Sequence, residues 1–289
     1  MIQSDAAFCI GKTHKVCQDY ALADNNRAAF RSVWLSDGCS SSPNTDIGAR
    51  LLAHGIQQRL SGFGPVAAAD TAELQQTLLD TLIRKNLRFA ARSAKQMGIP
   101  GAFLDATLLG LVEAGDRQSV YAVLYGDGAV VFGRTDGTRE VYRSQYPAGY
   151  PYYPAYAGDP DRFACWNQVA GNPHTITRTT LLPDGSVGDN CTFVPEAPYH
   201  LLRQPIETLC FAVVLSDGIE SFQNRIGPET CSTVKAVDYL SVIQELTAFK
   251  NFRGEFVHRR MHKFKKDCTQ RGWHHNDDIS VAALYFEKE

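Results

Sequence analysis

Leu35-Ser36-Asp37-Gly38 and Leu215-Ser216-Asp217-Gly218 are the same four residues, each at the end of an apolar run. Ser32-Val33-Trp34 leads into the first copy and Phe211-Ala212-Val213-Val214 into the second. A strand that stops at Asp-Gly projects a carboxylate from the rim of its sheet. The glycine lets the backbone turn sharply and leaves its carbonyl free to approach a ligand. Asp-Gly is also a common turn dipeptide, so either copy alone reads as a plain turn. Three further acids weigh against that reading. Asp127, in Tyr125-Gly126-Asp127-Gly128, also ends an apolar strand; Asp277 sits where the last strand begins; Asp19, in Cys17-Gln18-Asp19-Tyr20, immediately precedes an early one. Acids at strand ends can meet at one end of a sheet even when far apart in sequence.

Short apolar pieces at 21–23 and 32–35 flank a polar turn, Asp24-Asn25-Asn26. Ile47, Leu51, Leu52, Ile56 and Leu60 predict a helix from about Asp46, stopped by Gly62 and Gly64-Pro65. A second helix is expected from Asp70, whose capping role is supported by Glu73 three residues on. Leu74, Leu78, Leu82 and Ile83 trace its face, and Gly98 with Pro100 ends it. Strands are expected over 107–112, 119–125, 129–133 and 140–142, with Asp136-Gly137 as the last turn. Residues 142–156 hold six of the twelve tyrosines, separated by Pro147, Pro151 and Pro154, which suits an extended surface loop. That loop reads either as a flap beside the site or as rings packed on the domain. Residues 209–215 and 279–286 read as strands around a helical zone over 233–268. The expected class is α+β, in layers.

Of 289 residues, 29 are Lys or Arg and 31 are Asp or Glu, a formal charge of −2, which argues against a nucleic-acid partner. No apolar run approaches the roughly 20 residues of a membrane span. Met1-Ile2-Gln3-Ser4-Asp5 lacks the marks of a signal peptide. The eight cysteines form no CxxC, so reduced thiols and a cytoplasmic location are expected.

Several carboxylates in one place repel one another unless cations neutralise them. Carboxylate and carbonyl oxygens are hard ligands suited to Mg²⁺ or Mn²⁺. Two such ions can lower the pKa of a water between them, which fits hydrolysis of a phosphate ester.

At this point the chain resembles the metal-dependent protein phosphatases of type 2C, nearly end to end. The resemblance rests on His14-Lys15-Val16-Cys17-Gln18-Asp19, Ser36-Asp37-Gly38 with Ile47-Gly48-Ala49, and Ala106-Thr107-Leu108-Leu109. It continues through Tyr125-Gly126-Asp127-Gly128, Leu215-Ser216-Asp217-Gly218 and Asp277-Asp278-Ile279-Ser280-Val281. It implies a four-layer α-β-β-α sandwich with two central antiparallel sheets. One such domain would span 1–289, with an aromatic and Pro-rich loop insertion at about 142–200. By the same resemblance Asp37 would bridge two Mn²⁺ or Mg²⁺ ions, and Gly38 would give a carbonyl to one of them. Asp217 and Asp277 would bind the first metal, with Asp278 as second choice to Asp277, and Asp19 would serve the second. Asp127 with Asp217 stands where some members hold a third, weaker ion.

Two departures resemble a divergent, mostly bacterial branch. His14 occupies the place of an arginine that grips the substrate phosphate, and is a weaker anchor than a forked guanidinium. Asp37-Gly38-Cys39-Ser40-Ser41 replaces the usual Asp-Gly-Met-Gly-Gly or Asp-Gly-His-Gly-Gly. Asp37 and His14 are the candidate catalytic residues. The implied activity is phosphoserine/phosphothreonine protein phosphatase, by attack of a metal-bridging water or hydroxide. The substrate would be a phosphorylated protein, with a Ser/Thr kinase as its counterpart, and no membrane or nucleic-acid partner. A catalytically weak phosphatase-like regulatory or phosphoprotein-binding module is the alternative. Turnover of a small phosphorylated metabolite is a third reading. His274 and His275 read as solvated loop residues, 258–266 as a solvated basic helix face, and Cys39 as a small neutral neighbour of the site.

Overall fold

The computed structural model describes residues 2–24, 31–61, 72–114, 117–146, 149–170, 174–226 and 233–288. Asn25 and Asn26 of the expected first turn, the Gly62 and Gly64-Pro65 stop, the Asp70 cap and Pro147 lie outside them.

Side-chain alternation sets the layers. In β3 (Ser32–Asp37), Val33 and Leu35 face one way and Trp34 the other, as a strand's two-residue period requires. Trp34 is wholly buried beneath α1 (Thr45–Ser61) and α2 (Ala72–Gln96). Gly110, its cross-strand partner, makes room for it, since a Cβ there would lie 2.2 Å from the Trp34 ring. Val33 and Leu35 meet a second sheet. The five-stranded sheet runs β10 (His200–Pro205), β5 (Ser119–Tyr125), β4 (Leu108–Glu113), β3, β2 (Asp19–Ala23). The seven-stranded sheet runs β1 (Ile2–Cys9), β15 (Ile279–Phe286), β11 (Leu209–Leu215), β6 (Gly128–Arg134), β7 (Arg139–Gln145), β8 (Thr175–Leu181), β9 (Val187–Phe193). Every pairing in both sheets is antiparallel.

The same alternation works in β15. Val281 and Ala283 pack under α4 (Tyr239–Leu246) and α5 (Phe256–Arg271), while Ala282, Leu284 and Phe286 enter the space between the sheets. Three apolar interfaces result, helices on sheet, sheet on sheet and sheet on helices. Each wholly buried Leu, Val or Phe contributes about 1.5–3 kcal/mol. The α-β-β-α sandwich is therefore the fold.

Several details differ from the expectation. Ile47 and Leu74 are exposed, and the buried stripes run through Leu52, Ala53 and Ile56 on α1 and through Leu79, Leu82 and Ile83 on α2. Residues 233–236 form strand β13 (Thr233–Ala236), which joins β12 (Phe222–Ile226) and β14 (Trp273–His275) in a small third sheet. Residues 142–145 belong to β7, and α3 (Pro160–Ala170), β8 and β9 occupy much of 142–200. Tyr146, Tyr152 and Tyr153 are buried, not laid on a surface, because their rings close one end of the core under α1 and α2 or stand beside the carboxylate rim.

Candidate metal centre

Asp37 and Asp19 are direct cross-strand partners in β3 and β2. Because Asp37 follows Val33 and Leu35 at two-residue steps, it faces the space between the sheets. Asp127 arrives from the turn that carries the chain from β5 in one sheet to β6 in the other. Gly126 (φ 103°) and Gly128 (φ 124°) take backbone angles that side chains resist. Asp217 comes from the end of β11, where a short 3₁₀ turn, Asp217–Glu220, begins. Four carboxylates from both sheets thus meet at one rim.

Their environment is hostile to negative charge. Burial, then the charges of Asp19 and Asp217, push the Asp37 carboxyl well above the usual carboxylate range. Asp127 is pushed well up by burial and then by Asp217. Burial also raises Asp217, with Asp277 and Glu220 adding to it while Asp37 opposes. Asp19 is pushed up to about 7 by burial, although Asp37, Ser216 and Ser280 hold it down in part. No cationic side chain figures among these leading influences.

Hydroxyls position the acids. The Ser216 hydroxyl donates to Asp19 Oδ2 at 2.7 Å and accepts from the Ser280 N–H at 2.9 Å. The Asp37 N–H donates to Thr107 Oγ1 at 3.0 Å. Sequence reasoning missed Ser216, Ser280 and Thr107 as functional groups, though Ser216 lay inside the repeated tetrapeptide. The two glycines of that repeat do not turn the chain through a left-handed angle, as neither has positive φ. They permit close approach instead. A Cβ on Gly38 would lie 2.7 Å from Thr45 Cβ, and one on Gly218 would lie 1.7 Å from the Asp278 carbonyl oxygen.

Asp277 and Asp278 take different surroundings. Asp278 is buried, with Oδ1 accepting from the Gly11 N–H at 2.7 Å and Oδ2 from the Gln18 N–H at 2.6 Å. The Asp277 side chain is 43% exposed at the rim, and its charge acts on both Asp217 and Asp127. His14 touches both acids, Nδ1 at 3.0 Å from Asp278 Oδ2 and Nε2 at 3.5 Å from Asp277 Oδ1. Burial works against its protonation, but these carboxylates prevail and raise its pKa.

Among the described residues, no group of three or more His, Cys, Asp or Glu side chains is gathered closely enough to hold an ion as it stands. The donor chemistry nevertheless suits a hard cation. Asp19 Oδ1 and Asp217 Oδ1 are buried oxygens with no hydrogen-bond partner, and such atoms are costly to leave unpaired.

The chain matches the family described as Protein phosphatase 2C over residues 11–151, a span containing His14, Asp19, Asp37, Gly38 and Asp127. Over that span, just under half of its length, the chain is similar to the type 2C protein phosphatases. Asp217 and Asp277 lie beyond the matched span, and for them only the fold likeness applies. The S. agalactiae serine/threonine phosphatase superposes with a TM-score of 0.55 at 15% identity, over 99% of this chain and 100% of that one. The Staphylococcus aureus serine/threonine phosphatase gives 0.56 at 10% identity, over 100% and 96%. A bacterial serine phosphatase gives 0.58 at 8% identity, over 100% and 99%. At such identities these structures speak for the fold. No curated protein matches the chain.

The loop after Gly38 meets the aromatic segment. The Tyr153 ring stands at Cys39, close enough to Asp37 and Asp127 to feel their charge, and burial pushes its hydroxyl pKa up. Burial opposes ionisation of Cys39, but hydrogen bonds to Ser41 and Tyr153 outweigh it and lower the thiol. His274 and His275 lie on β14 rather than in a solvated loop. The Lys12 ammonium meets His274 Nδ1 at 2.8 Å, and the His275 ring packs against Phe222 at 5.4 Å. On α5, Arg260 is buried against Glu245 rather than solvated.

Proposed function

We propose that this chain is a type 2C phosphoserine/phosphothreonine protein phosphatase that works with two Mn²⁺ or Mg²⁺ ions. The observation that carries the reading is the convergence of Asp19, Asp37, Asp127 and Asp217 from both sheets, with no cationic side chain among the leading influences on them. Asp37 would hold both ions and Gly38 would offer its carbonyl. Asp217 and Asp277 would complete the first site, and Asp19 would serve the second. Asp127 with Asp217 would take a third ion where one binds. When bound, divalent ions supply an activated water nucleophile and absorb charge on the phosphoryl oxygens.

The chain's own residues set the geometry. Thr107 fixes Asp37, and Ser216 and Ser280 fix Asp19. Asp278 fastens the 11–18 loop through two N–H groups, which holds His14 at the rim. From there a protonated His14 can donate to a phosphate oxygen or to the leaving alkoxide. Asp277 rather than Asp278 is favoured as ligand, because Asp278 spends both oxygens on backbone donors. The regulatory-module alternative is not favoured, since all five expected acids are present. A phosphorylated protein is the expected substrate and a Ser/Thr kinase the matching partner. No helix among the described residues is long and apolar enough to cross a membrane.

The test is turnover of p-nitrophenyl phosphate and a phosphothreonine peptide with Mn²⁺ and with chelator. Chelator-sensitive release of phosphate from both is expected, and its absence from both would sink the reading. A marked preference for a small phosphorylated metabolite would redirect it.

A further inference from the structure

The outer side of α2 carries Arg84, Arg88, Arg92 and Lys95, spaced to form one stripe along the helix. Across from it, the 155–162 segment brings Arg162. Between them runs a groove of about 470 Å³ with Leu87, Ile99, Leu104 and Ala155 in its walls, and Asp159 as the single acid lining it among the described residues. A charged helix face is ordinarily solvated or paired with neighbouring groups, and on α5 several of the cations are paired. There Lys263 pairs with Asp267, Arg260 with Glu245, and Arg259 with Asn251 and a backbone carbonyl. On α2, Arg84 is held by Asp80 at 2.7 Å, but Arg88, Arg92 and Lys95 have no acidic partner among the described residues. Three unpaired cations thus border a concave apolar surface in a chain whose net charge is only −2.

The groove is joined to the metal centre by Asp105. Its Oδ1 pairs with Arg162, its Oδ2 accepts from the Ser42 hydroxyl at 2.8 Å, and its carbonyl accepts from the Cys39 N–H at 2.8 Å. One residue on, Ala106 bridges to Gly38. The wall of the groove and the loop that leaves Asp37 are therefore one hydrogen-bonded unit.

We propose that this groove docks an acidic stretch of the phosphoprotein substrate while its phosphorylated residue occupies the carboxylate rim. From residue 84 to 95 the stripe spans about 16 Å of helix, the reach of about five extended residues. Charge complementarity selects the occupant. The cations attract carboxylates, and the apolar walls accept the peptide's aliphatic stems. The inference rests on the phosphatase reading for its substrate but not for its binding.

Two phosphothreonine peptides test it on the full chain, one extended by five glutamates and one by a neutral Gly-Ser run. The glutamate peptide should show a KM lower by roughly tenfold, and R88E/R92E/K95E should abolish or invert that ratio. Circular dichroism verifies that the variant is folded. A labelled pentaglutamate peptide without phosphate should bind the native chain, weaken with salt, and weaken roughly tenfold in the variant. Equal binding to both proteins, or tighter binding of an RNA of equal charge, would overturn the proposal. If neither phosphopeptide turns over, the phosphatase reading fails, and the unphosphorylated peptide still decides the groove.

Discussion

Two regions bury ionisable groups and settle them in opposite ways. Behind the aromatic segment, His174 is only 4% exposed and stacks on Tyr146 at 4.7 Å, with Trp166 and Tyr152 next in the cluster. Burial, with His200 nearby, pushes its pKa down to about 4. At neutral pH it gives up its proton, and the conflict ends. At the rim, four carboxylates face burial and one another together, and two of their oxygens have no partner. A lone group escapes burial by becoming neutral. A cluster of four would need several protons at once, so external cations are the more economical remedy. The comparison separates residues that sustain the fold from residues proposed to bind ions.

The largest expected effect comes from removing the charge at the centre of the rim. Asp37→Asn keeps the shape and the backbone bond to Thr107 but removes the acid lying between Asp19 and Asp217. It should cut kcat/KM for a phosphothreonine peptide about 10³-fold, or ~4 kcal/mol. Steady-state kinetics with Mn²⁺ measures it, and turnover near the native level would break the distinction just drawn. Cation binding should next appear as stability. Mn²⁺ at about a hundred times its dissociation constant should stabilise the chain by ~2.7 kcal/mol. Asp217→Asn should lose most of that gain, as read from chemical denaturation with and without metal.

Ser216 and Ser36 occupy the same place in the repeated tetrapeptide and allow a finer test. Ser36 donates to the Thr107 carbonyl and ties β3 to the residue just before β4, whereas Ser216 donates to a carboxylate on the other sheet. Ser36→Ala should cost about 1 kcal/mol of stability and leave Mn²⁺ affinity alone. Ser216→Ala should cost ~2 kcal/mol, the larger value typical of bonds to charged groups, and should weaken Mn²⁺ binding as well. Isothermal titration beside denaturation separates the two, and equal Mn²⁺ affinities would show that Ser216 only holds sheets together.

Strands 119–125, 209–215 and 279–286 were legible to the residue, because they lie inside the sandwich and are apolar on both faces. β1, β9, β10 and the small third sheet were not. Their residues are polar or mixed, and β9 is almost wholly exposed, so pairing rather than pattern makes them strands. Of the rim, the acids could be read because an apolar run ending in Asp is conspicuous. Their supports could not. Ser216 reaches a partner 197 positions away, and nothing in a serine's local context announces such a bond. The groove beside α2 was invisible for the same reason, since its far wall comes from 155–162. The pairing of Tyr146 with His174 likewise depends on β7 meeting β8.

The smallest effect belongs to that pairing. His174 has its folded pKa lowered from 6.5 to about 4, so between those values the unfolded chain binds more protons than the folded one. Its contribution is therefore complete above 6.5 and is lost as pH falls toward 4. Between about pH 7 and 5.5 that loss amounts to roughly 1 kcal/mol. His174→Phe keeps a ring against Tyr146 and has no proton to take up, so its stability should fall less over the same interval. Urea denaturation of the chelated protein at several pH values reads the difference without interference from any cation at the rim. Parallel pH profiles for native and variant chains would mean that His174 keeps its charge when buried, and the contrast with the carboxylates would then rest on number alone.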